Sequence, residues 1–100
     1  MLYLVESHPT CEQADKIDAG EGPGPVFAKL AERFRPQAFY GNPSRRQLFM
    51  IVELSPADMT ELMYALSWFV KTEPTFTPLV PPELFGEAIA AAKKITSPTS

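Results

Sequence analysis

QLFMIVEL, residues 47–54, decides how this chain folds. The run is of strand length, rich in branched and aromatic residues, and free of Pro and Gly, so it reads as a buried strand. One parity, Leu48, Met50, Val52 and Leu54, is wholly apolar. The other places Phe49 and Ile51 between Gln47 and Glu53. A sheet with helices on one face only shows a clean apolar–polar alternation. This strand does not, so its second face also needs a cover. Leu2 to Glu6, LYLVE, has the same character.

Working outward, Gly41-Asn42-Pro43-Ser44 is dense turn chemistry. It makes a hairpin between a short strand at Gln37–Tyr40 and the strand at 47–54. Upstream, Thr10 and Gln13 form a T-x-x-Q capping box that starts a helix near Cys11, and this helix ends at Gly20. The loop GEGPGP (20–25) follows. Pro25 then suits a first helical position, and Val26, Phe27, Leu30, Ala31 and Phe34 recur at helical spacing. Downstream, Ser55-Pro56-Ala57-Asp58 supplies a cap, a first-turn proline and an acid. The stripe from Met59 through Leu62, Leu66 and Val70 continues that helix. Thr75–Val80 is a strand broken by Pro78, which suits a sheet edge. A last helix spans about Glu83–Lys94, with acid at its start and Lys93 and Lys94 at its end as the helix dipole favours.

Composition narrows the function classes. The 100 residues carry 45% apolar and 21% charged side chains, as a globular chain does. A net charge of −3 gives no reason to expect nucleic acid or an anionic membrane as partner. The charge is uneven: Glu12, Asp15, Asp18 and Glu21 form an acidic region, and Arg33, Arg35, Arg45 and Arg46 a basic one. A single cysteine excludes an internal disulfide and a thiolate metal cluster. No apolar run approaches the roughly 18 residues of a membrane span. The expectation is a cytoplasmic chain with no metal or cofactor, one domain over 1–95 and a flexible tail at 96–100.

The resulting order is β-α-β-β-α-β plus a C-terminal helix, the ferredoxin-like α+β arrangement with an antiparallel sheet. Its first and third strands are central, which fits the two proline-free apolar strands. On MLYLVESHP, FYGNPSRRQLFMIVELSP and the SWF-to-TFTPLVPPE ending, the chain resembles the dimeric α/β-barrel superfamily over about residues 1–80. That superfamily includes muconolactone isomerase-like and antibiotic-biosynthesis monooxygenase-like proteins and uncharacterised groups of small proteins. The GEGPGP insertion and the helix after strand four depart from it. The resemblance implies a homodimer through the open sheet face, enclosing a cleft, but brings no catalytic motif that matches this chain.

Within such a cleft, Glu6 and His8 share a parity and lie near the start of the third strand. Glu6, His8, Tyr40 and Arg46 are therefore the candidate catalytic groups, with His8 beside a carboxylate as a general base. The competing reading leaves His8 and Glu6 in water at a strand end. Phe49, Ile51 and Glu53 are candidate substrate-binding residues; Glu53 is either held in the cleft, or paired with a cation or left in water. Cys11 reads as a small buried residue rather than a nucleophile. The prolines and Glu21 disfavour phosphate binding by GEGPGP, leaving a lid or a connector. Tyr64 and Trp68, one turn apart, need a cover, and the last helix is the expected one. Two functions follow. One is a cofactor-independent isomerase or monooxygenase acting on a small aromatic or carbonyl compound. The other is a non-catalytic small-molecule-binding or structural dimer.

Overall fold

The computed structural model describes residues 1–97. Its strands are β1 (Leu2–Ser7), β2 (Ala38–Asn42), β3 (Gln47–Glu53) and β4 (Thr75–Leu79). Its helices are α1 (Cys11–Ala19), α2 (Gly24–Phe34), α3 (Pro56–Val70) and α4 (Phe85–Thr96), the last entered through a short 3-10 turn at Pro82–Leu84. The strands form one antiparallel sheet in the order β2-β3-β1-β4. The two apolar strands are central, and Pro78 lies on the edge strand β4 as its missing donor requires. This small α+β architecture is compatible with the ferredoxin-like arrangement.

The helix ends form as their sequences dictate. The Ser55 hydroxyl accepts from the Asp58 amide at 3.1 Å, with Pro56 at the first position of α3. Thr10 caps α1 by accepting from the Gln13 amide at 3.2 Å. The reciprocal half of that capping box does not form. Instead the Gln13 side-chain amide donates to the Phe69 carbonyl at 2.8 Å. That carbonyl belongs to the last turn of α3, where backbone acceptors lack helical partners, so Gln13 ties the two helices together.

One face of the sheet is closed. Val5, Leu48, Met50, Val52 and Leu54 pack with Leu30 and Phe34 of α2 and Leu62 and Leu66 of α3. Met50, Leu62 and Leu66 are fully buried, and each such side chain contributes about 1.5–3 kcal/mol relative to exposure. Arg33 of α2 bridges Asp58 and Glu61 of α3, both at 3.0 Å. Its pKa is raised, first by the hydrogen bond to Glu61 and then by that to Asp58.

Three expectations need correction. The second strand is Ala38–Asn42 rather than 37–40, because Gly41 and Asn42 pair with Leu48 and Gln47. Cys11 is exposed, not buried; it is the first residue of α1, whose buried residue is Ala14. Most plainly, α4 does not cover Tyr64 and Trp68. It has no buried residue, and Trp68 is 69% exposed. The Val80-Pro81-Pro82 link carries α4 away from the body, giving extents of 63 × 26 × 23 Å. The radius of gyration is 17.7 Å, against about 13 Å for a compact chain of this length. Of the tail expected at 96–100, Thr96 belongs to α4 and residues 98–100 lie outside the described residues.

Candidate functional site

The strand register places the sequence-predicted residues. On the face of the sheet away from α1, α2 and α3, Tyr40 of β2 pairs with Phe49 of β3, which pairs with Glu6 of β1 and, across it, Thr75 of β4. The next row is Ala38, Ile51, Leu4 and Thr77. Beyond it Glu53 pairs with Leu2, which pairs with Leu79. Strand alternation puts all of these on one face. Phe49, Ile51 and Leu4 are only half-buried, whereas Leu48, Met50 and Val52 on the opposite parity are buried. This open face is therefore apolar in its middle, with Glu6, Tyr40 and Thr75 along one row. Adjacent strands lie about 4.8 Å apart, so Glu6 and Tyr40 stand roughly 10 Å apart with Phe49 between them.

The other two candidate catalytic residues do not join that row. His8 lies past the end of β1 and is exposed, its Nδ1 3.4 Å from the Pro9 carbonyl oxygen. Its own carbonyl accepts a hydrogen bond from the Thr72 hydroxyl. Arg46 is a clear correction. It closes the β2–β3 turn with a positive φ of 51°, and its guanidinium reaches α1. There one nitrogen donates to Asp15 at 2.8 Å and to Asp18 at 3.2 Å. These carboxylates, the hydrogen bond to Asp15 first, raise the Arg46 pKa. The acidic and basic regions of the sequence are thus partly each other's partners. Glu53 takes the paired reading: its carboxylate lies 2.7 Å from the amino-terminal ammonium of Met1.

Arg46 marks a pocket on the helix side that the sequence did not disclose. It encloses about 470 Å³ between α1, the start of α2, the β2–β3 hairpin and the end of α3. Ile17, Phe27, Phe69 and Val70 form apolar walls, Pro23 of the GEGPGP loop closes one side, and Asp18 and Arg46 stand among its polar groups. Gly41 also lines it. Its place on the Phe39 parity of β2 leaves the pocket open where a side chain would intrude. That glycine on the core-facing parity was the one signal available in the sequence. Ser7, buried at the end of β1, has a hydroxyl with no hydrogen-bond partner among the described residues.

Among the described residues no three His, Cys, Asp or Glu side chains gather as a metal site would need. No described helix is long and apolar enough to cross a membrane. No protein-family model matches the sequence, and no curated protein matches it either.

Proposed function

We propose that this protein binds a small, partly apolar molecule as a homodimer, with two sheets packed face to face around the ligand. One observation carries the reading. Phe49, Ile51, Leu4, Leu2 and Leu79 make an apolar sheet face that none of α1, α2 and α3 covers and to which α4 contributes no buried residue. Contiguous apolar surface of this kind marks an interaction site, and a second copy supplies an identical, self-complementary patch. Glu6, Tyr40 and Thr75 give the cleft polar groups along one row, and Phe49 and Ile51 give it apolar lining.

Non-catalytic binding is favoured over isomerase or monooxygenase chemistry. A general base and its partners need to meet at hydrogen-bond range. In the protomer Arg46 is held by α1, His8 points into solvent, and Phe49 separates Glu6 from Tyr40.

A second location for the ligand is favoured by the helix-side pocket, whose volume and mainly apolar lining fit a small organic molecule. A neutral solvatochromic dye, Nile red, separates the two. Gly41→Leu fills the pocket: a Cβ at Gly41 meets nothing nearer than the Gln47 carbonyl at 3.7 Å. Phe49→Asp spoils the cleft. Dye emission that survives Gly41→Leu and is lost in Phe49→Asp supports the cleft, and the reverse supports the pocket. No dye binding by the wild type contradicts the binding function.

A further inference from the structure

Among the described residues two apolar stripes lack a partner. On α3 the exposed residues Glu61, Tyr64 and Trp68 line up at i, i+3 and i+7, and Lys71 follows as the left-handed C-cap. Tyr64 and Trp68 touch only each other among the aromatic pairs, with ring centroids 5.4 Å apart. On α4 Phe85 and Ile89, also one turn apart, are 51% and 54% exposed. Glu83 of the 3-10 turn precedes this stripe and Lys93 follows it. An isolated helix of about 12 residues is marginal in water, so α4 needs a surface to lie on. Its own α3 does not provide one. The consecutive Pro81 and Pro82 restrict the residues before them to extended backbone, and Pro81 sits at φ −61°, ψ 139°. This stiff link holds the arm off the body.

We infer that α4 docks on the Tyr64–Trp68 stripe of a second copy of this chain, an exchange of arms between protomers. The match is one of spacing and of charge. Both stripes present two large apolar side chains a single turn apart, which suits ridge-into-groove packing. Along α3 and into its C-cap the order is Glu61, Tyr64, Trp68, Lys71, and through the 3-10 turn and α4 it is Glu83, Phe85, Ile89, Lys93. An antiparallel crossing therefore sets Glu83 near Lys71 and Lys93 near Glu61, and it opposes the two helix dipoles. Glu61 already holds Arg33, so Lys93 would extend that network. The occupant is a second copy because the complementary stripe is on this same sequence and the proline link denies it to the same chain.

This inference does not depend on the face-to-face sheet dimer, and the test keeps the two apart. With Cys11→Ser as background, full-length chains carrying Trp68→Cys are mixed with chains carrying Phe85→Cys and oxidised. Arm exchange gives a disulfide-linked heterodimer in the mixture and none from either chain alone. Adding Ile89→Asp, which touches no core residue, abolishes the cross-link while far-UV circular dichroism of the body persists. Absence of the cross-link overturns the inference. So does a monomeric intrachain disulfide in a chain carrying both cysteines, because it places the arm on its own body. Ile51→Lys lies on neither stripe. A mixture that still cross-links with Ile51→Lys, at unchanged mass without it, overturns the sheet-face dimer and leaves arm exchange standing.

Discussion

The two faces of one strand behave differently. On β3, Leu48, Met50 and Val52 are 4%, 0% and 0% exposed beneath α2 and α3, while Phe49 and Ile51 between them are half-buried only by their neighbours in the sheet. Chemically the two sets are alike. What differs is that this chain supplies helices for one set and nothing for the other. An apolar side chain is thus a poor guide to where the protomer's own stability resides, and a good guide to where a second layer is needed. Substitutions on the two faces separate stability from assembly.

The largest effect is expected on the closed face. Leu62→Ala removes a fully buried side chain from the cluster around Met50, and the lost transfer energy plus the cavity costs about 2–5 kcal/mol. Chemical denaturation monitored by circular dichroism reads this directly; a loss well under 1 kcal/mol would mean the core is not the one described. On the open face, Phe49→Ala should cost the dimer far more than the protomer. Dimer dissociation rises by tenfold or more, equivalent to about 1.4 kcal/mol, as followed by dilution in analytical ultracentrifugation. Equal loss in both quantities would erase the distinction between the faces.

Smaller effects sharpen the same contrast. Among the described residues Ser7 is the one buried polar side chain on the closed side, and its hydroxyl has no partner among them. Ser7→Ala should raise stability by about 1 kcal/mol, since an unsatisfied buried hydroxyl carries a desolvation cost; a clear loss would point to a bond the hydroxyl does make. The smallest effect is electrostatic. Hydrogen bonding from Arg33 holds the Asp58 pKa below its ordinary value. A depressed carboxylate stabilises the fold above its unfolded pKa of about 3.9, and that contribution is lost as pH falls through the lower folded value. Acid unfolding should therefore begin at higher pH in Arg33→Met than in the wild type, with little difference near neutrality. Coincident acid transitions would show that the bridge is inert.

Much of this architecture was legible in the residues. Strand order followed from the β-α-β-β-α-β succession of elements, with the two long apolar strands central and proline-bearing β4 at an edge, and the α3 start from Ser55 and Pro56. The doubly apolar β3 correctly announced a face that the chain's own helices leave bare. The site was less legible, because periodicity reports which face a residue takes but not what reaches across a turn. Arg46 looked like a neighbour of Glu6 by register, yet a left-handed turn residue and two aspartates one helical turn apart redirected it to α1. Gly41 lines the pocket beside it, and a glycine on the core-facing parity was the only trace of that pocket in the sequence. The α4 arm failed for a related reason. Its stripe suggested a helix lying on Tyr64 and Trp68, but apolar spacing carries no mark of the Pro81-Pro82 link that leads α4 off the body.

A second copy covering the open sheet face is the central proposal. Sedimentation equilibrium on Ile89→Asp, which removes any arm docking, and on Ile89→Asp with Ile51→Lys, at matched micromolar concentrations, tests it most directly. Ile89→Asp should sediment at twice the 11.1 kDa chain mass and the double variant at the mass of one chain, with the circular dichroism of the two superimposable. A monomeric Ile89→Asp protein, or a double variant that remains dimeric, would contradict it.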